Sequence, residues 1–324
     1  MILTREELEL PEARGIRLVA LSLLDDVSAS ATRLASSRKS RDLHDFRVAL
    51  RKLRSWLRAF NDDLPGLRKA NSRQLKACAV ATNSKRDQDV QLKWLARAAR
   101  GLSRRRRRGS RWLINHVDRQ VAGPGKKRGV DIPPDLAKVL DSLFSRLSTY
   151  RQPVRASENT GLTLAQAISS RLMPHTWLLC QALDNIETVA DQRTCHQARI
   201  IAKRLRYLLE PAAPRVRGGQ AAVEKLRALQ NALGTLRDLQ ILMLRVEETL
   251  HGSAASMAGR ESVSLQTVLQ AVESPARPAD ILAVAKRLES DANRSFKLVR
   301  EGWLDGHAAK FGAQMELVAR RLGK

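Results

Sequence analysis

Two segments of the sequence carry histidine, arginine and lysine at the same spacing, and these side chains are suited to binding anions. Residues 44–58 read HDFRVALRKLRSWLR, and residues 196–210 read HQARIIAKRLRYLLE. At an offset of 152 residues the aligned pairs are His44 with His196, Arg47 with Arg199, Arg51 with Lys203, Lys52 with Arg204 and Arg54 with Arg206. The guanidinium fork matches phosphate oxygens, so this pattern predicts binding of a phosphate-bearing polyanion.

Each segment predicts an amphipathic helix with one apolar and one cationic side. On a helical wheel the first cationic row spans an arc of about 80°. Its members are Arg47, Arg51, Arg54 and Arg58 beside His44. The second row contains His196, Arg199, Lys203 and Arg206, while Lys52 and Arg204 lie at the apolar border. Cations one turn apart destabilise a free helix by a few tenths of a kcal/mol per pair, and no acid precedes Glu210 in either row. A bound polyanion would neutralise them.

The overall charge also indicates an anionic partner. The chain has 324 residues with 58 Lys and Arg against 33 Asp and Glu, a formal net charge of +25. Such a charge usually persists because a partner neutralises it, and the candidate partners are nucleic acid, another polyphosphate or an anionic membrane surface. Aromatic residues make up only 4%, which argues against a single-strand nucleic-acid binder that stacks bases.

The elements that carry these side chains are predicted to be helices throughout, so the fold class is all-α. Leu and Ala recur at helical spacing, and runs of alternating β-branched residues are absent. Helices are expected at about 12–36, 42–60, 66–82, 86–100, 134–150, 162–190 (interrupted or kinked near Pro174), 193–210, 219–234 and 236–251. One or two more are expected within 262–322.

The repeat continues beyond the first pair of helices. LKACAVATNSKRDQDVQL in the first half aligns with LRALQNALGTLRDLQIL in the second. At an offset of 151 residues, Lys76 aligns with Arg227, Arg86 with Arg237 and Asp87 with Asp238. Two helices that match in order indicate an internal repeat. We therefore expect a single domain of two helical-bundle halves, 1–150 and 151–324.

Enzymatic and metal-binding roles are not favoured by these residues. Catalysis by His44 would need a partner carboxylate, and Asp45 beside it is replaced by Gln197 in the second copy. Neither histidine has a second His or Cys one turn away to complete a metal site. Each histidine is interpreted either as a phosphate contact or as a structural hydrogen-bonding residue. We expect no catalytic residue, no metal and no cofactor.

Asp87 and Asp238 leave two interpretations open. They could belong to a nucleotide or metal site, or they could orient a basic neighbour or cap a helix that starts near Gly234-Thr235. The cluster Arg104–Arg108, with Arg111 and residues 126–128, could contact phosphate, form a non-specific nucleic-acid patch or be a solvated helix face.

Cysteine usage and the N-terminal sequence favour a cytoplasmic protein. Cys78, Cys180 and Cys195 have no C-x-x-C spacing and are interpreted as free thiols. The N-terminus has acids where a signal peptide needs bases, and no apolar run reaches the roughly 20 residues of a membrane span. We expect no membrane partner.

The segments at 44–60, 195–210 and 225–240 resemble the CHAD family, the conserved histidine α-helical domain. The resemblance covers about residues 10–320. It implies two helical bundles related by pseudo-twofold symmetry, with a basic groove or pore between them. It also implies binding of inorganic polyphosphate and association with polyphosphate granules. The first half departs from the pattern at Thr82-Asn83, where the second has Leu233-Gly234. No E-x-E-x-K pattern of a triphosphate-tunnel enzyme occurs, so we expect no fused enzyme.

The family's binding positions fall on residues of both repeated helices. They are His44, Arg47, Arg51, Lys52, Arg54, His196, Arg199, Lys203, Arg204 and Arg206, extended by Arg58, Lys76, Arg227 and Arg237. We predict a non-enzymatic polyphosphate-binding protein. The alternatives are a basic nucleic-acid-binding helical protein, with the Arg104–Arg108 cluster as its site, and a phosphohydrolase using Mg²⁺ held by Asp87, Asp89 or Asp238. The residues do not predict an oligomeric state.

Overall fold

A computed structural model describes residues 2–37, 39–64, 69–100, 111, 114–115, 135–148, 161–258 and 278–324. Within these ranges the regular elements are helices, apart from one isolated antiparallel bridge between Pro11 and Thr163. The all-α prediction is therefore confirmed.

The α-helices are α1 (Arg5–Glu9), α2 (Glu12–Ser37), α3 (Ser40–Ala59), α4 (Lys69–Ala81), α5 (Asn83–Arg100), α6 (Leu136–Ser148), α7 (Leu164–Asp184), α8 (Gln192–Leu209), α9 (Gly219–Ala258), α10 (Pro278–Trp303) and α11 (His307–Leu322). A short 3-10 helix covers Ala213–Arg215. Helices α3 and α8 contain the two repeated segments.

Helix α3 forms because its apolar residues recur every three or four positions and bury one side. Phe46, Leu50 and Leu53 on that side are almost fully buried, each stabilising the fold by about 1.5 to 3 kcal/mol. Trp56 fixes the helix against α2 by donating its indole N–H to the carbonyl of Ile16 at 3.0 Å. The backbone N–H of Phe60 closes the last turn on the carbonyl of Trp56.

Helix α8 follows a tight turn and stops at a proline. The Asp191 carboxylate accepts backbone N–H bonds from Thr188 at 2.7 Å and Glu187 at 2.9 Å, and these bonds lower the pKa of Asp191. Pro211 follows the last turn, and its ring removes the N–H that a longer helix would use. Ala198, Ala202 and Leu205 lie on the fully buried side.

The helices meet in a pattern that recurs along the chain. Helix α2 packs against α3 and α6, and α7 packs against α8 and α11. Helix α4 packs against α3 and α6, and α9 packs against α8 and α11. Helices α3 and α8 also pack against each other, which brings the two cationic segments together.

The helical interruption expected at Gly234 is wrong, and of the two alternatives expected at Pro174 the interruption does not occur. Gly234 does not end a helix, because α9 runs unbroken from Gly219 to Ala258. Asp238 therefore lies inside α9 and caps no helix start. Pro174 lies within α7 without interrupting it, on an exposed side where the missing backbone N–H can be tolerated.

Candidate anion-binding site

The candidate site is built on α3 and α8, which pack against each other and carry the two cationic rows. Of the predicted residues on these helices, only His44 and Arg58 are exposed, and most of the others are half-buried. The half-buried ones are Arg51, Lys52, Arg54, His196, Arg199, Lys203, Arg204 and Arg206. The helical wheel predicts open cationic faces. The faces are instead partly covered because the two helices pack against each other, and because α3 also packs against α4 and α8 against α9.

In the second half, three predicted cations converge around His196. Burial, followed by the charges of Arg237, Arg199 and Lys203, lowers the pKa of His196 below its ordinary value of 6.5. The imidazole is therefore mostly neutral at pH 7, since nearby cations disfavour a further positive charge. Arg237 belongs to α9, so this cluster joins side chains of two consecutive helices that are about 40 residues apart in sequence.

Close packing at Gly234 positions Arg199 in that cluster. A Cβ added to Gly234 would lie 3.2 Å from the Arg199 Nε and 3.3 Å from a terminal nitrogen of its guanidinium. The glycine therefore leaves the space in which the guanidinium lies against α9. Sequence reasoning treats Gly234 as a helix breaker, whereas its role here is to admit this side chain.

In the first half, Arg47 is buried rather than exposed. Only 7% of its surface is accessible, and its guanidinium donates a 2.8 Å hydrogen bond to the Thr82 hydroxyl. That hydroxyl in turn donates to the carbonyl of Ala79 at 2.9 Å. Arg47 therefore fastens α3 to the end of α4. The helical wheel does not predict the burial of Arg47 because it represents a single helix without its neighbours.

A cavity of about 480 Å³ opens beside His44 at the start of α3. Its charged lining comprises Arg41, His44, Asp45, Arg47 and Lys93. Sequence reasoning did not select Arg41 or Lys93. Arg41 aligns with Arg193 at the offset of 152, so the repeat could have identified Arg41. Lys93 aligns with Leu244 at the offset of 151, so the repeat gives no signal for Lys93.

A third cluster lies where α3 and α8 meet. Burial and the neighbouring charge of Arg58 lower the pKa of Arg54. The same two causes lower the pKa of Arg204, on the facing helix. Arg58 is thus close to a cation on its own helix and to another on α8. Three guanidinium groups brought together in this way form a place where an anion would be stabilised.

On the opposite side of the interface, Glu210 collects three of the predicted cations. Its carboxylate lies 3.3 Å from Lys52 Nζ and 3.5 Å from terminal nitrogens of Arg206 and Arg227. The Arg206 Nε–H also donates to the side-chain oxygen of Gln230 at 3.1 Å. These cations hold α3, α8 and α9 together.

The remaining predicted residues are less closely associated with the clusters described above. Lys76 is exposed on α4, and the buried Nε of Arg51 has no hydrogen-bond partner within the described part of the chain. Arg86, Asp87 and Asp89 belong to α5, and Arg104–Arg108 lie outside the described residues.

The described ranges contain neither a metal-binding cluster nor a membrane-spanning helix. No group of three or more His, Cys, Asp or Glu side chains there could hold a metal ion. None of the helices in those ranges is both long and apolar enough to cross a membrane. Cys78, Cys180 and Cys195 are free thiols, as expected.

Comparison with known proteins gives a family match and a structural match. The CHAD domain family matches residues 19–225, which include both repeated helices. The chain is similar to the structure described as the crystal structure of the CHAD domain from the plant Ricinus communis. That superposition has a TM-score of 0.58 at 16% sequence identity and covers 97% of this chain and 94% of the plant chain. Among curated proteins, none matches this chain in sequence.

Proposed function

This chain belongs to the CHAD family, and from that premise we propose that it binds inorganic polyphosphate without transforming it. The proposed contacts are the half-buried and exposed cations of α3 and α8 that are not paired with Glu210, with Lys76 and Arg237 from the adjoining helices. Lys52, Arg206 and Arg227 belong to the same helices but are already paired with Glu210. Arg47 and Arg199 are proposed to contribute as residues that also anchor α3 and α8 to the following helices.

The observation that carries this proposal is the convergence of like charges at two places, one where α3 meets α8 and one where α8 meets α9. Arg58 lies close to Arg54 and Arg204, and Arg237, Arg199 and Lys203 surround His196. Like charges repel and burial penalises each of them, so the clustering of cations is in itself unfavourable to the fold. A chain of phosphates, with one or more negative charges per unit, would convert both clusters from repulsive to attractive.

The mechanism of binding in this proposal is electrostatic. A flexible polyanion lies along the α3–α8 interface, and the counterions of the phosphates that contact Lys and Arg are released. By analogy with single-stranded nucleic acid, log K should then fall with log salt concentration by about 0.7 per phosphate neutralised. Ligand binding should also stabilise the folded form, since the unfolded chain cannot present the clusters.

We also propose that the domain consists of two related halves, 1–150 and 151–324, with the binding surface between them. The recurring neighbours support this, because α2, α3, α4 and α6 pack in the same order as α7, α8, α9 and α11. The proposed setting is the cytoplasm, at polyphosphate granules.

A competition titration tests the function. Labelled long-chain polyphosphate is bound to the protein in Mg²⁺-containing buffer, and unlabelled polyphosphate, duplex DNA or RNA is added while phosphate release is monitored. The expected result is displacement by polyphosphate at much lower phosphate concentration than by either nucleic acid, with no phosphate released. Tighter binding of DNA or RNA would replace the proposal with a nucleic-acid function. Release of phosphate would replace it with a hydrolase.

A further inference from the structure

Glu210 occupies the position at which the first copy of the repeated segment has an arginine. At the offset of 152 residues, Arg58 aligns with Glu210. The neighbouring positions keep their positive charge, because Lys52 aligns with Arg204 and Arg54 with Arg206. The two copies therefore differ by a charge reversal at one position of an otherwise cationic pattern.

The contacts of Glu210 come from three helices. Lys52 of α3 approaches its carboxylate at 3.3 Å, and Arg206, one turn earlier in α8, approaches at 3.5 Å. Arg227 of α9 lies at 3.5 Å from the same carboxylate. The Glu210 side chain is only 23% exposed. One carboxylate thus neutralises a set of cations that a phosphate group would otherwise bridge.

The matching place in the first half has the same neighbours and the opposite charge. Arg58 lies near Arg54, one turn earlier in α3, and near Arg204 on the facing helix. Arg58 beside Arg54 corresponds to Glu210 beside Arg206, and Arg58 facing Arg204 corresponds to Glu210 facing Lys52. The same two pairs of positions are therefore attractive in one half and repulsive in the other.

We infer that Glu210 is a built-in counter-anion that takes the place of one ligand phosphate, so that polyphosphate is held at the Arg54–Arg58–Arg204 side of the interface. This inference rests on the proposed function. A carboxylate and a phosphate accept the same forked hydrogen bonds from arginine, which is why one can substitute for the other. Lys52, Arg206 and Arg227 then position the helices and contribute little to ligand affinity.

The structural consequence is an asymmetric site in a domain with two similar halves. A ligand at the arginine side gains attraction without displacing any internal anion. At the Glu210 side, the same ligand must compete with three ion pairs and meets the repulsion of the carboxylate. The bound chain would therefore lie off the centre of the α3–α8 interface, towards Arg58.

Matched substitutions at equivalent positions test this asymmetry. Arg204→Gln and Lys52→Gln remove one cation each at aligned sites, one in the arginine cluster and one paired with Glu210. Polyphosphate affinity should fall about five-fold or more in Arg204→Gln and less than about two-fold in Lys52→Gln, as expected when only the first loses a phosphate contact. The salt slope should fall by about 0.7 in Arg204→Gln alone.

A third substitution removes the built-in anion. Glu210→Gln should raise polyphosphate affinity. In the Glu210→Gln background, Lys52→Gln should then lower polyphosphate affinity, and a double-mutant cycle measures this coupling. Glu289→Gln, the same charge change at an exposed position of α10, controls for net charge. Circular dichroism verifies that each variant is folded.

Two results separate the inference from the function on which it rests. If wild-type protein binds polyphosphate but Arg204→Gln and Lys52→Gln weaken binding equally, and Glu210→Gln changes nothing, the asymmetric site is wrong and the proposed function stands. If wild-type protein binds no polyphosphate, both are wrong.

Discussion

Replacing Gly234 with alanine should stabilise the protein and weaken its binding of polyphosphate. Gly234 lies inside α9 with helical backbone, where alanine is favoured over glycine by about 1 kcal/mol. The new methyl would lie 3.2 and 3.3 Å from two nitrogens of the Arg199 guanidinium. Because the far end of an arginine can move by a few tenths of an ångström, most of the helical gain should survive.

The cost of Gly234→Ala should appear in binding instead. A displaced Arg199 guanidinium no longer meets a phosphate at its best distance, and losing about 1 kcal/mol of a charged hydrogen bond lowers affinity about five-fold. Urea denaturation measures the stability, and titration with labelled polyphosphate at fixed salt measures the affinity. Gly302→Ala is the control, since a Cβ there would meet no atom within 4 Å.

Two outcomes of the Gly234→Ala experiment would refute this reasoning. A loss of stability greater than about 1 kcal/mol would mean that the guanidinium cannot shift and that the methyl overpacks the helix interface. Affinity equal to that of wild type and of Gly302→Ala would mean that Arg199 does not contact the ligand.

Other consequences can be measured in the same way. As the pH falls below 6.5, the ordinary pKa of histidine, His196 takes up a proton in the unfolded chain but resists protonation in the folded protein. The ligand-free protein should therefore lose stability until the pH reaches the lowered pKa of His196 in the folded form. A bound polyanion raises that pKa, so polyphosphate affinity should increase over the same pH window. His196→Gln should flatten the pH profiles of both stability and affinity, and unchanged profiles in that variant would contradict this explanation. Arg171 pairs with Glu12 and Asp63, and Arg171→Ala should cost about 3 kcal/mol in urea denaturation because two part-buried carboxylates lose their cation. Its polyphosphate salt slope should stay at the wild-type value, and a reduced slope would show that Arg171 contacts the ligand.

Helices α3 and α8 could be predicted from the sequence to within two residues at each end. Their apolar residues recur at helical spacing over 15 or more positions, and each stretch ends at local stop signals such as Pro211. Local signals fail at Gly234, because glycine there is selected for its lack of a side chain against Arg199. Whether a glycine ends a helix or admits a neighbour depends on a contact between residues far apart in sequence.

The residue types of the candidate site were predictable, and their pairing was not. The repeat identifies cations that share a helix face, but a wheel contains no second helix. It therefore gives Arg47 an exposed position, whereas α4 covers it and accepts its hydrogen bond through Thr82. Glu210 ends the second repeated segment as a single acid, and its role follows only from the meeting of α3, α8 and α9.

The first residues of the chain are buried and hydrogen-bonded by a segment that is synthesised much later. Leu3 is fully buried, its N–H donates to the carbonyl of Pro211 at 2.9 Å, and its own carbonyl accepts from Arg215 at 2.9 Å. At ordinary rates of translation, Leu3 waits roughly 10 to 40 s for Pro211 to be synthesised. Until then the Leu3 side chain and backbone lack the partners that bury them in the folded protein. The contacts of this N-terminal segment can thus form only after the second half of the polypeptide has begun to leave the ribosome.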